Sequence, residues 1–367
     1  MTTIAHNWLA PPLTAVKRYE RSLSAASMVG GFAFDNYYFG RIDHPATQIA
    51  LALYLAGAIV ALLALHYTQS HAERSGLLRK ARTPLIGATQ FALGGLWSAF
   101  LVFYGRSAVL IASWPFLFLL GAMLVGNEMF RHYQSRLTFT STLLFLALCS
   151  YAIFVVPVFT LTMGKWTFLL SCLLATAAFG LVLWALHTIG RERIRASWRG
   201  IGLGAIGVLS GLNLFYFLNI LPPLPLALAN SGVFHAVARS GNVYRATAEE
   251  GDWWSAFGFN RTLHIAPGQP LYLYSAVFAP IALKTNIIHI WQRYDEAQKR
   301  WRTESTVNFP ITGGREGGYR LYSIKTKPQA GQWRVALETP DGLLIGRVGF
   351  SVAEGANNAV RFLQIIE

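Results

Sequence analysis

The chain has 367 residues, 53% of them hydrophobic, 14% aromatic and only 13% charged. Globular chains carry about one quarter charged residues, so a chain that is soluble throughout is excluded. The formal net charge is +14, but Arg and Lys stand in short stretches between apolar runs, not in one basic stripe, which argues against a nucleic-acid partner.

In chain order, residues 1–22 are polar and basic, with no apolar signal-peptide core. A weak apolar run follows at 23–40, interrupted by Asp35 and Asn36. Six clear runs come next, at about 47–67, 84–104, 108–129, 137–160, 166–188 and 201–221. About 20 helical residues cross a hydrocarbon core of about 30 Å, so each run is long enough to span. Charge placement decides whether the weak run counts. With seven spans and residues 1–22 in the cytoplasm, thirteen basic residues fall inside, against Arg41, Arg106 and Lys165 in the short outside loops. Without the first span, Lys17, Arg18 and Arg21 fall opposite the basic 68–83 loop and the asymmetry weakens. The expectation is therefore about seven transmembrane helices over 23–223, N-terminus in and C-terminus out.

Leu221-Pro222-Pro223-Leu224-Pro225 stops the last helix, because proline cannot continue it. Residues 224–260 read as a periplasmic linker or interfacial segment, with a short amphipathic helix near Val233–Arg239 and two tryptophans, Trp253 and Trp254, at its end. From Arg261 the texture becomes seven short β-rich runs separated by Gly, Pro, Asp and Asn. That spacing predicts an all-β, Ig-like sandwich over 261–367. In Gln332–Thr339 alternation puts Trp333, Val335 and Leu337 on one face and Arg334 and Glu338 on the other. Leu344, Val348, Phe350 and Val352 form the matching face of the next strand, after a Thr339-Pro340-Asp341-Gly342 turn.

The run Gly331-x-Trp333-Arg334-Val335, followed by Gly342, Gly346 and Phe350, resembles the C-terminal module of a bacterial integral-membrane family catalogued as domain of unknown function 2914. Ile287–Trp291 is similar to that module's earlier His-x-Trp strand. Gly31-Phe32 through Asp35, then Arg41-Ile42-Asp43, is similar to the start of the family's membrane part. The resemblance implies helices in the membrane and a sandwich outside it; it implies no activity.

Few residues invite chemistry. Asp35, with Asn36 beside it, is a proton or ion site, a partner of Arg41, or a carboxylate near the outer interface; burial deep in lipid costs at least about 2.5–3.5 kcal/mol. Glu128, next to Asn127, is a polar site at the cytoplasmic mouth or an anchor paired with Arg131 or His132. The Gly313–Arg320 loop combines glycines with Arg315, Tyr319 and Arg320 and is the candidate ligand loop, for an anion such as phosphate; its bland alternative is a plain β-loop. Gly207-x-x-x-Gly211 in the last span permits close helix approach, within the chain or in a homodimer. No catalytic set, metal cluster or cofactor motif emerges. His289 reads as packed, and Cys149 and Cys172 as small buried hydrophobes.

Two functional classes remain. The first is an inner-membrane protein of the bacterial cell that presents a periplasmic β module to an envelope protein, a glycan or a lipid headgroup, with no enzymatic activity expected. The second is a transporter or membrane-embedded enzyme, which predicts a polar cavity converging on Asp35, Asn36, Gln90, Asn127 or Asn213.

Overall fold

The computed structural model describes residues 32–33, 37, 45–71, 75–107, 110–129, 136–222, 226–241, 243–249, 261–279, 283–312, 318–355 and 361–366. Among the described residues six continuous helices lead: α1 Pro45–Ser70, α2 Gly76–Ser107, α3 Leu110–Met129, α4 Leu137–Thr160, α5 Lys165–Ile189 and α6 Arg191–Phe217. All but α3 are long and apolar enough to cross a membrane; α4, with 24 residues, measures about 36 Å. The expected first span, 23–40, falls mostly outside the described residues.

The helical core is aromatic and centred on α4. Phe145, Cys149 and Phe154 are fully buried, and α4 packs on α1, α2, α5 and α6. Phe145 stacks on Phe179 of α5 at 4.5 Å, and Tyr104 of α2 donates to the Ser150 carbonyl of α4 at 3.0 Å. Outward-facing side chains are apolar as well: Phe91, Phe118, Leu181 and Leu203 are each about 70% exposed. A helix set that is apolar inside and out needs a non-aqueous surround. Helices α5 and α6 meet at Gly190, where a Cβ would collide with the side chains of Ser70 and His66 at the end of α1. His66 Nε2 lies 3.0 Å from the Leu186 carbonyl, which also accepts the Gly190 N–H.

Among the described residues eleven strands follow: β1 Ala227–Phe234, β2 Ala236–Ser240, β3 Val243–Glu249, β4 Arg261–Ile265, β5 Leu271–Phe278, β6 Lys284–Asp295, β7 Arg300–Thr312, β8 Tyr319–Lys325, β9 Gly331–Glu338, β10 Leu344–Glu354 and β11 Arg361–Ile366. All seven runs read from the sequence form strands, as β4 to β10. The segment expected to be a linker does not hold a helix at Val233–Arg239; it carries β1 to β3, with the chain turning a corner at His235.

The strands build three layers. A five-stranded sheet of order β4-β10-β9-β6-β7 faces a three-stranded sheet β1-β5-β8, and a third sheet, β11-β3-β2, covers the opposite side of β5. The first sheet is mixed, with β10 antiparallel to β9 but parallel to β4. The core between the first two sheets holds Leu273, Val277, Ile287, Trp291, Trp333, Val335 and Phe350. The second core, on the other face of β5, holds Tyr274 and Ala276 with Phe234, Val237, Tyr244 and Ala246. This is why β5 is buried almost without alternation. Trp333, Val335, Leu337, Phe350 and Val352 occupy the face predicted for them. Leu344 does not: a bulge between Leu344 and Gly346 resets the parity, and Ile345 enters the core in its place.

The β domain docks on one end of the helices. The turn Thr339–Leu343 closes on itself, Gly342 N–H donating to Thr339 O at 2.9 Å with Gly342 at φ 78°. It pushes Leu343 into the helical core beside Ile153, Phe168 and Tyr216. The Asp341 carboxylate fills the space that a Cβ on Gly164, in the α4–α5 loop, would need.

Candidate functional site

Three of the polar residues expected to line a cavity, Gln90, Asn127 and Asn213, are hydrogen-bonded within the helical part. Gln90 of α2 and Asn127 of α3 bond reciprocally: Gln90 Nε2 donates to the Asn127 carbonyl at 3.1 Å and Asn127 Nδ2 to the Gln90 carbonyl at 2.8 Å. Asn213 Nδ2 donates to Leu209 O within its own helix. Gln90 and Asn127 thus meet each other, whereas Asn213 bonds within its own helix. Asp35, Asn36 and the side chain of Glu128 lie outside the described residues.

Of the predicted ligand loop, Arg315 lies outside the described residues. Tyr319 and Arg320 sit on β8 as neighbours on a strand and so face opposite ways. Tyr319 packs against the main β core, while the Arg320 carbonyl accepts from Tyr244 Oη in the second core at 3.4 Å. Gly318 just before them has φ 84°, and a Cβ there would meet the Val277 carbonyl, so the chain at Gly318 approaches β5 backbone-to-backbone.

His289 is fully buried between the sheets, as read from the sequence. Its Nε2 lies 3.0 Å from Ser275 Oγ of β5 and its Nδ1 2.9 Å from Ser323 Oγ of β8, which also accepts Trp291 Nε1–H at 3.0 Å. One hydroxyl on each side suits a neutral ring. Burial lowers the imidazole pKa to about 4. The cluster joins the two facing sheets; sealed from solvent, it cannot meet a substrate.

A second polar cluster links the layers. The buried Glu249 carboxylate of β3 accepts the His264 backbone N–H at 3.0 Å, lies 2.9 Å from His264 Nδ1, and lies 3.2 Å from His235 Nε2. Burial alone would raise its pKa, but these hydrogen bonds hold it below the usual carboxylate value. Among the described residues no group of three or more His, Cys, Asp or Glu can hold a metal ion.

The outer face of the five-stranded sheet is different, because its polar groups reach solvent. The register places Tyr294 opposite Trp301, Gln292 opposite Thr303 and Arg334 beside Gln292. The Arg334 guanidinium lies 4.2 Å from the Trp301 ring centre, and its Nε donates to Gln292 Oε1 at 2.7 Å. Tyr294 meets the edge of Trp301, with centroids 5.3 Å apart. The result is a held aromatic and guanidinium platform of the side-chain types that dominate binding energy. Alternation places Arg334 on a wet face but does not join it to Trp301, because their proximity follows from strands β9, β6 and β7 lying side by side.

Residues 284–352, from the start of β6 into β10, match the family described as "Protein of unknown function (DUF2914)". The platform lies within that match, so the suspected family assignment is supported for the C-terminal region. No curated protein matches the chain. Among solved structures, Pseudomonas fluorescens alkylpurine DNA glycosylase AlkC, bound to DNA containing an abasic site analog, aligns with 84% of this chain and 99% of that one. The identity is 11% and the TM-score 0.24, too low to carry an argument.

Proposed function

We propose that this is a polytopic protein of the bacterial inner membrane, with residues 1–22 in the cytoplasm, seven spans over 23–223 and a periplasmic β domain. The domain binds an envelope partner through the Trp301–Arg334–Gln292 platform, and the helices anchor it at the membrane surface. The facing sheets of the domain form its Ig-like part. On this reading the periplasmic domain begins at β1, not at Arg261. One observation carries the orientation. The turn at Asp341 and Leu343 docks where α4 ends and α5 begins, whereas Arg191, Arg193, Arg195 and Arg199 begin α6 at the other end of the bundle. The β domain and the basic loops thus lie at opposite ends, as the positive-inside rule requires of an exported domain.

The partner surface is tested by photocrosslinking in cells. A crosslinking amino acid at Thr303, beside the platform, is expected to give a defined adduct that Lys327, in the β8–β9 turn, does not. Trp301→Ala or Arg334→Ala should reduce that adduct about tenfold, the loss of about 1–2 kcal/mol of cation–π and aromatic contact. Identical adducts from both positions, or an adduct indifferent to both substitutions, would contradict the assignment.

A further inference from the structure

Strand β6 pairs with β9 only from Ile288 to Arg293. Its first residues, Lys284 to Asn286, therefore run on past the end of β9, paired on one side with Thr312, Ile311 and Pro310 of β7. The Pro340-Asp341 turn stands on the open side, and Thr162 and Met163 of the α4–α5 loop form the floor. These pieces enclose an open cavity of about 430 Å³, within the roughly 300–1,000 Å³ of small-molecule sites.

Its lining holds both signs of charge. Lys284 brings an ammonium, Asp341 a carboxylate, Thr285 a hydroxyl and Asn286 an amide. Among the described residues no side-chain hydrogen bond or ion pair engages any of these four groups, whereas Thr162 is bonded to Thr160 and Thr167. Depth gives the second clue. The loop at the floor leads directly into Lys165 and Trp166, whose ammonium lies 5.6 Å from the ring centre. Trp166 is 75% exposed in the first turn of α5. An outward Trp beside a Lys at a span's end marks the headgroup level of a bilayer.

We propose that this junction cavity takes the headgroup of a phospholipid that carries a primary ammonium. The phosphodiester meets Lys284 and the Asn286 amide, the ammonium meets Asp341, and the acyl chains lie along the exposed apolar side of α5. A purely anionic headgroup would face Asp341 without a counter-charge, and a trimethylated one would offer that carboxylate no N–H donor. The inference rests on the β domain lying at the outer membrane surface, as proposed above.

The test uses the full chain, delipidated in detergent and titrated with phosphatidylethanolamine, phosphatidylcholine and phosphatidylglycerol of identical acyl chains, with native mass spectrometry as the readout. Phosphatidylethanolamine is expected to be retained at least about tenfold better than either competitor. Lys284→Gln should weaken all three, and Asp341→Asn should erase the preference for the primary ammonium. Because Asp341 also packs on Gly164, the headgroup series on the unaltered chain and on Lys284→Gln stands without that variant. Equal retention of the three lipids, or no effect of Lys284→Gln, would overturn the proposal while leaving membrane insertion intact. Equally tight binding of water-soluble glycerophosphoethanolamine would overturn the lipid as the source of the headgroup.

Discussion

His289 shows how one buried residue sets a pH dependence. Its folded pKa is about 4, below its unfolded value of about 6.5. Between those values the unfolded chain binds the proton and the folded one does not. Stability is therefore complete above pH 6.5 and is lost as the pH falls toward 4, by about 3 kcal/mol. Glu249, held below its usual value, adds a separate loss at more acid pH. Tryptophan fluorescence of the detergent-solubilised chain in urea is expected to show the first loss between pH 7 and 4.5. His289→Leu should flatten that slope and lower stability at pH 7 by about 1–3 kcal/mol, since Ser275 and Ser323 lose their shared partner. An unchanged slope would mean that the ring is not held neutral in the core. That His289 packs was legible from its strand with Trp291. Its two serine partners were not, because they stand 14 and 34 residues away on strands whose neighbours only the topology supplies.

At the scale of elements, the β9–β10 hairpin changes its meaning between sequence and structure. The alternating strands and the Pro-Asp-Gly turn were readable because period-2 burial and turn chemistry are local signals. The bulge after Leu344 and the docking of Leu343 were not, since both depend on what lies across from the turn. The strands of segment 227–249 are hidden in the sequence for a related reason. The Asn230-Ser231-Gly232 stretch within β1 and a bulge between Leu228 and Asn230 break its alternation. Docking through the turn has a measurable consequence. Leu343 is 4% exposed within the helical core, so Leu343→Ala should cost about 2–5 kcal/mol. Gly164→Ala should be harmful too, because Gly164 has φ 114° and its Cβ would strike the Asp341 carboxylate. In detergent both variants are expected to expose residues 222–226 to limited proteolysis and to release an intact β fragment. Cleavage no faster than in the unaltered chain would show that the turn is not the dock. The glycines of α6 divide in the same way. Gly204 faces Thr142 of α4, whereas among the described residues nothing outside the local helix backbone comes within 4 Å of a Cβ at Gly207 or Gly211. The small-residue pattern was visible in sequence; which glycines the chain itself uses was not.

For the whole molecule, the apolar runs and the basic loops were the most legible features, because a non-aqueous surround imposes length and composition on every helix at once. The three-layer β domain was only half legible: its strands are local, but the order β4-β10-β9-β6-β7 brings together segments far apart in the chain. The Trp301–Arg334–Gln292 platform is a product of that order, so no single motif could have announced it. The central claim is that the β domain and its platform lie outside the cell membrane. Both native cysteines are buried among the helices, so a single Thr306→Cys on the outer sheet face gives a clean probe. Labelling with a membrane-impermeant maleimide in cells whose outer membrane is permeabilised and inner membrane intact is expected to modify this position fully. Modification only after the inner membrane is broken would place the domain in the cytoplasm and contradict the account.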